Sequence, residues 1–528
     1  MRQSYRYTLY MRKRFLILLV ALLFTVPALA AEDEILLDTG RITGTANNFS
    51  KQVRIFRGIP YAAPPVGDLR WKDPQPVKPW DVTKACVNFG PSCPQPAGLI
   101  GGAAGKTSED CLYLNVFTTA KQGEKQPVMV WIHGGGFAVG SGSMLLYDGS
   151  ALARKGVVVV TINYRLGPFG FFAHPLLSQE SPNHTSGNYG LLDQIAALQW
   201  VQRNIKSFGG NPDCVTIFGE SAGSASVARL MVCPLAKDLF HRAIAESGGP
   251  IGWNRSLRES KGVTESAENM GSRIAKELRC DSLEALRRIS AQDILKAAKP
   301  IMTHGAGNRF GPVVDGYVLP DNPAKLWADG KQFDVPFITG SNSGDGAIFL
   351  PGVPTKTVPE FRAGVHSLFP NIADDLLRLF PAETDDQVHE AALKMVTVVS
   401  FAQPARFMVR CMETKKSAAY LYQFSRVPQM LKSQSDTAMH GLELPYVFDH
   451  ILPIARFREI DAPLALTMSS AWVRFAKTGN PNGDEMPPWP AYHHGDEAYM
   501  DFGDEVTPKH GLFREAADLF DKVRDSRE

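Results

Sequence analysis

Ser221 has the strongest chemical setting in the sequence. The run Val215-Thr216-Ile217-Phe218 leads without a break into Gly219-Glu220-Ser221-Ala222-Gly223, and small residues dominate from Ser224 to Leu230. Strand, G-x-S-x-G and helix in succession force a serine through strained backbone, so that its hydroxyl stands above a sheet. The flanking glycines are needed because side chains there would collide with neighbouring backbone. The hydroxyl then lies beside a helix N-terminus, where developing negative charge is favoured. Five residues of this pattern arise by chance in long chains. The strand before and the small-residue helix after separate this serine from one in an ordinary glycine turn.

A serine that attacks an acyl carbon creates an oxyanion, and each backbone N–H aimed at it is typically worth about 3–4 kcal/mol. Val130-Trp131-Ile132-His133-Gly134-Gly135-Gly136-Phe137 reads as a strand ending in a loop that could supply such donors. Consecutive glycines let the backbone approach a substrate and turn its amides inward. Gly135 and Gly136 are the expected donors, joined by the amide of Ala222. A phosphate-cradling loop is the competing reading, but no Lys-Ser/Thr follows and the dinucleotide spacing is missing. His133 lies on the oxyanion side and reads as a brace for the loop, not as a base.

These residues need a scaffold, and short runs rich in Val, Ile and aromatics supply its outline: Val128 to Ile132, Val157 to Ile162, Val215 to Phe218, Ala243 to Ala245, Val335 to Ile338 and Ala419 to Phe424. Continuously apolar strands imply burial on both faces. Amphipathic stretches lie between them, such as Leu191, Ile195, Leu198 and Ile205, or Met468, Trp472 and Phe475, with Gly209 and Gly479 as helix stops. The alternation predicts an α/β fold: a mostly parallel twisted sheet with helices on both faces and its ligand site beyond the carboxyl ends of the strands. The glycine-rich stretch from Pro94 to Gly105 reads as a surface loop or the rim of a substrate pocket.

Composition narrows the class. The 528 residues are 44% hydrophobic and 21% charged, ordinary for a globular protein, and no linker, repeat or low-complexity tract divides them. Arg12, Lys13 and Arg14, an apolar run from Phe15 to Phe24, and Ala28-Leu29-Ala30 form the three parts of a secretory signal peptide. The expected organisation is therefore a leader over 1–30, cleaved near Ala30, and one catalytic domain over 31–528, secreted or periplasmic. The apolar run is shorter than the roughly 20 residues a bilayer span needs, so no integral membrane segment is expected in the mature chain. The leader carries five basic and no acidic side chains, so its removal takes the formal charge from +2 to −3. That balance does not suggest nucleic acid. Seven cysteines, Cys86, Cys93, Cys111, Cys214, Cys233, Cys280 and Cys411, would meet an oxidising compartment, and the odd count leaves at least one unpaired within the chain. None has metal-ligand spacing, and no metal is expected.

Taken together, the chain resembles the type-B carboxylesterase/lipase family of the α/β-hydrolase fold. The likeness covers nearly all of the mature chain. It rests on Phe56-Arg57-Gly58-Ile59-Pro60-Tyr61-Ala62, Ser108-Glu109-Asp110-Cys111-Leu112-Tyr113-Leu114-Asn115-Val116, the His-Gly-Gly-Gly-Phe loop, Asn163-Tyr164-Arg165-Leu166-Gly167, and Phe218 to Gly223. The resemblance implies a hydrolase of small-molecule carboxylic esters that needs no cofactor, and a disulfide between Cys93 and Cys111. A second bridge of some members would start at Cys280, but no cysteine follows at the matching place. In this fold the order is serine, acid, histidine, and Ala438-Met439-His440-Gly441-Leu442-Glu443 is similar to the family's catalytic-histidine loop, which makes His440 the base. Gly340-Ser341-Asn342-Ser343-Gly344-Asp345-Gly346 matches the loop where the family usually has glutamate, so Asp345 is the expected acid. Asp315 and Glu443 are its rivals. Asp315 resembles a structural turn of the family, and Glu443 is close to His440 in sequence for such a contact. Glu220 is expected either to favour protonated His440 or a cationic leaving group through its charge, or to be a salt-bridged structural carboxylate. Ser247 resembles a family serine that hydrogen-bonds near the triad.

Two other readings compete. A non-catalytic binding protein of the same fold would lack a triad residue, whereas Ser221, His440 and a carboxylate at 345 are all present. A specialised esterase for a bulky polyester such as a mycotoxin keeps the chemistry and changes the substrate. A choline ester is disfavoured, because the segment between Cys93 and Cys111 has no tryptophan to stack on a cation.

Overall fold

The computed structural model describes residues 34–47, 50–96, 105–252, 254–262, 264–303, 309–352, 356–433, 435–451 and 460–525. The leader over 1–30 and most of the glycine-rich stretch after Pro94 lie outside them. Eleven strands make the main sheet among the described residues: β1 (Thr45–Asn47), β2 (Ser50–Pro60), β3 (Tyr113–Thr118), β4 (Gln126–Ile132), β5 (Val158–Ile162), β6 (Gly210–Glu220), β7 (Arg242–Glu246), β8 (Phe337–Asn342), β9 (Ala419–Phe424), β10 (Ala498–Phe502) and β11 (Val506–His510). Their spatial order is β11-β10-β9-β8-β7-β6-β4-β5-β3-β2-β1. From β5 to β10 every neighbour is parallel, while β3, β2 and β1 on one edge and β11 on the other are antiparallel.

Alternation along each strand divides the core. Val128, Val130 and Ile132 of β4 join one buried cluster with Val158, Val160, Val215 and Ile217, whereas Met129 and Trp131 join another with Val159, Phe218, Ile244 and Ile338. Side chains two apart share a sheet face. Helices α1 (Tyr189–Asn204) and α2 (Ala222–Leu230) cover the first face; α5 (Asp461–Thr478) covers the second with Met468, Trp472 and Phe475. Between β8 and β9 the chain leaves the sheet to build a smaller helical core around Leu376, Val388 and Leu393, which includes α3 (Asp385–Thr397). A π-turn, Val398–Ala402, joins α3 to α4 (Gln403–Met412). The last helix, α6 (Arg514–Asp525), packs Phe520 into that same core. Gly209 and Gly479 end their helices with φ of 83° and 81°, the left-handed stop expected of them.

One element differs from the sequence expectation. The strand expected over 335–338 begins after Pro336, which has no N–H for the ladder, and continues to Asn342 in register with Tyr422, Gln423 and Phe424. Gly340, Ser341 and Asn342 are turn formers in isolation; pairing with β9, and at Gly340 with β7 as well, overrides that preference. No helix among the described residues is long and apolar enough to cross a membrane.

Candidate active site

Strand β6 ends at Glu220, and Ser221 turns the chain into α2 with φ 57° and ψ −119°. Such a conformation costs a residue with a side chain about 1–3 kcal/mol and persists only if its surroundings impose it. Here the Ser221 N–H donates to the Glu246 carbonyl at 2.9 Å, and the Ser221 carbonyl accepts from Ala225 at 2.9 Å. At Gly223 an added Cβ would stand 1.9 Å from the Ile132 carbonyl oxygen, so only glycine lets the turn close on β4. The expected strand, strained serine and helix are all present.

Two loops past the strand ends bring the other groups in. Gly344 donates to the Ala438 carbonyl at 2.8 Å, Ala438 to Ser343 Oγ at 2.9 Å, and Asn342 Nδ2 to the Met439 carbonyl at 2.9 Å. The loop after β8 is thereby stitched to the His440 loop, 95 residues on. Asp345 is completely buried; its Oδ2 accepts the Asn342 N–H at 2.6 Å, and its Oδ1 lies 2.7 Å from His440 Nδ1. The missing methylene relative to glutamate is absorbed by this close approach. Burial disfavours the imidazolium, but the charge of Glu220 and the hydrogen bond to Asp345 outweigh it and hold the pKa of His440 well above its ordinary value. Glu220 Oε1 is 3.0 Å from His440 Nε2, off the line of a hydrogen bond, and Nε2 has no hydrogen-bond partner among the described residues. Ser221 and His440 are therefore not yet bonded, a looseness common where no substrate is bound.

The glycine loop after β4 has the backbone its sequence suggests. Gly135 has φ 103° and Gly136 63°. His133 is buried, stacks on Tyr164 with centroids 4.5 Å apart, and puts Nδ1 2.8 Å from the Gly134 carbonyl. Burial lowers its pKa to about 4, so it stays neutral and braces the loop. Gln95 clamps the far end: its Nε2 donates to the Gly140 carbonyl, and its Oε1 accepts the Gly140 N–H, both at 2.9 Å.

The profile of the carboxylesterase family matches residues 31–520. Fumonisin B1 esterase of Sphingopyxis macrogoltabida is 39% identical over 502 residues, covering 92% of this chain and 90% of that protein. Para-nitrobenzyl esterase of Bacillus subtilis (strain 168) is 38% identical, covering 89% and 94%. The chain belongs to the carboxylesterase family. Solved structures agree: a PNB esterase superposes with a TM-score of 0.78 at 36% identity, and the Geobacillus stearothermophilus carboxylesterase EST55 with 0.80 at 34%, each covering 92% of this chain and 99% of the other. These likenesses make the chain a carboxylic-ester hydrolase of the α/β-hydrolase fold.

Around the expected triad this carboxylesterase holds further groups, of which only Glu443, a rival for the acid, was singled out by the sequence. Phe401, in the π-turn, packs its ring 5.0 Å from that of His440, and Phe349 stacks on Phe401 at 5.6 Å. Thr397 Oγ1 accepts the Gly346 N–H at 2.9 Å and holds the Asp345 loop from the helical side. Glu443 is completely buried, accepts a hydrogen bond from Asn342 Nδ2, and has its pKa raised well above the carboxylate range by burial and by the charges of Glu220 and Asp345. Glu246, at the end of β7, accepts from Trp472 Nε1 at 2.7 Å. It closes the apolar run Ala243 to Ala245, a pattern that does not tell which groups it meets.

Two expectations differ in detail. Ser247 adopts φ 52° and its backbone N–H donates to the Gly340 carbonyl at 2.9 Å, but its Oγ has no partner among the described residues, where the hydrogen bond it makes is a main-chain one. Cys93 and Cys111, the pair expected to bridge, lie together as free thiols. Both are buried thiols; a hydrogen bond to Cys93, then burial, pushes the Cys111 thiol well up, and Cys93 Sγ also accepts the Leu166 N–H at 3.1 Å. Asp315 caps its own turn, accepting N–H bonds from Tyr317 and Leu319 at 3.0 Å each.

Proposed function

We propose that this carboxylesterase is an exported enzyme working through an acyl-enzyme. His440 takes the Ser221 proton, the serine oxygen attacks the ester carbon, and the oxyanion is held by the amides of Gly135, Gly136 and Ala222. The imidazolium returns its proton to the leaving alcohol, and water repeats the cycle to free the acid. Asp345 fixes the imidazole tautomer and stabilises its cation, and Glu220 adds a second negative charge. The observation that carries this reading is the 2.7 Å contact between Asp345 Oδ1 and His440 Nδ1 beside the strained Ser221 turn. Labelling by an organophosphate at Ser221, with a burst on short aryl esters, is expected. No label and no turnover would sink it.

Export is supported by the charged, apolar and small-residue leader, and the secreted protein is expected to begin at Ala31 by mass. In an oxidising compartment the neighbouring thiols of Cys93 and Cys111 close into a disulfide, detectable as a mass difference on reduction. A bulky polyester is the second substrate reading, favoured by the 39% identity to a fumonisin B1 esterase. Assaying short aryl esters beside fumonisin B1 separates the two.

A further inference from the structure

The loop that carries the Gly135 and Gly136 amides returns on its own start. Ala138 and Val139 donate their N–H groups to the Gly135 carbonyl at 3.1 and 3.0 Å, so the chain folds back directly after the glycines. Gly140 then meets the beginning of the loop: an added Cβ there would stand 2.5 Å from His133 Nδ1 and 2.8 Å from the Gly134 carbonyl oxygen. Backbone this rich in glycine has little preference of its own for one shape, so the circuit keeps its form only if both ends are held. The start is held by Tyr164, which stacks on His133 and donates its hydroxyl to the His133 carbonyl at 2.9 Å.

The far end is held from outside the loop. Gln95 lies 45 residues before Gly140 and is buried. Its Oε1 accepts the Gly140 N–H at 2.9 Å, and its Nε2 donates to the Gly140 carbonyl at 2.9 Å and to the Cys93 carbonyl at 3.1 Å. One planar amide thus fixes both main-chain groups of Gly140, and the bond to Cys93 fixes the amide itself. A second tie runs alongside: Asn163 Oδ1 accepts the Gly142 N–H at 2.9 Å while its Nδ2 donates to the Pro91 carbonyl at 3.0 Å. The hydrolytic steps themselves make no use of Gln95.

We propose that Gln95 is a positioning residue for ester hydrolysis: by gripping Gly140 on both of its main-chain groups it keeps the returning chain pressed on His133 and Gly134, and so holds the Gly135 and Gly136 amides on the oxyanion. It acts through the loop, without touching the substrate, and the proposal rests on the serine-hydrolase reading. Without the grip the amides are misaimed where charge develops, in the transition state, while the uncharged ester of the ground state binds as before.

The test compares the full chain with Gln95→Met, close in length and volume but without the amide's donor and acceptor. Active chains are counted by organophosphate titration of Ser221. On a short aryl ester Gln95→Met loses about tenfold or more in kcat per labelled serine, with KM within about twofold of the wild type. An aryl trifluoromethyl ketone takes the Ser221 oxygen on its carbonyl carbon while His440 takes the proton, which leaves an oxyanion in the same place; its affinity falls by a similar factor. A merely structural Gln95 would lower the fraction of chains that label and leave the other two readouts within about twofold of the wild type, and that result overturns the proposal. If Gln95→Met does not fold, Gln95→Asn, one methylene short of Gly140, decides by the same readouts: kcat per labelled serine and ketone affinity fall together by about threefold or more, or the proposal fails. A wild type that takes no label at Ser221 would instead remove the hydrolase reading on which this one stands.

Discussion

Asp345 and Glu443 are both completely buried and both reach the His440 loop, yet their contacts differ. Asp345 holds Nδ1 of the imidazole; Glu443 accepts from Asn342, the residue whose N–H also bonds Asp345. On the proposed scheme Asp345→Asn lowers kcat by roughly 10³–10⁴-fold, because the amide favours the wrong imidazole tautomer. Glu443→Gln, close in shape to the protonated acid, stays within about tenfold. Steady-state rates of the two variants on one ester check this, and the reverse ranking would hand the acid role to Glu443. The nucleophile was legible because a serine elbow is a local pattern, written in nine consecutive residues. Asp345 and His440 were legible only through resemblance to a family. Glu246, Phe401 and Thr397 were not, because what makes them matter is contact across the strand ends, 50 or more residues from their partners in some cases.

Loops and turns carry the chemistry here, and the sheet tells each where to stand. The parallel strands could be read from apolar runs because both of their faces are covered, whereas the edge strand β11 is largely exposed and has no such run. The π-turn had no sequence signal at all; it follows from joining two helices that pack against different cores, and it leaves Phe401 against His440. The glycine loop makes a sharper case. At Gly135, with φ 103°, an added Cβ would stand 2.1 Å from the Val139 carbonyl oxygen. Gly135→Ala must therefore move the loop and its amides. The expected result is a kcat lower by about 10²–10³-fold with KM little changed, the cost of one oxyanion donor. A kcat within about threefold of wild type would mean that the loop does not hold the oxyanion.

At the scale of the whole molecule, buried charge is distributed in two ways with opposite consequences. Arg406 in α4 is buried but fully paired, with Glu497 and Asp518 at 2.6 Å and Asp521 at 2.9 Å, and it ties α6 to the body of the protein. Arg406→Met takes the 2.6 Å partner from Glu497, which keeps Arg514 at 3.3 Å, while Asp521 keeps Arg410 at 2.9 Å and Gln403 at 2.7 Å, so a loss of about 1.5–3 kcal/mol is expected from urea unfolding; a loss under about 0.5 kcal/mol would mean that those neighbours already compensate the carboxylates. Glu246 has no such counter-ion among the described residues, so the native state holds a proton that the unfolded chain releases. Its pKa rises from an ordinary 4.5 to about 8 on folding, with burial the chief cause. A raised native pKa contributes stability that is whole below 4.5 and is lost as pH climbs to about 8. His133 works the other way and in a lower window: its pKa, lowered from 6.5 to about 4, withdraws stability as pH falls between those values. Above 6.5 the loss from Glu246 is no longer offset by His133. Glu246→Gln, which cannot ionise, should therefore gain on the wild type by up to about 1.4 kcal/mol for each pH unit between about 5 and 8, and no further above that. Urea midpoints of the two proteins across that range measure the gap. A gap that stays constant with pH would show that Glu246 is already ionised in the folded protein.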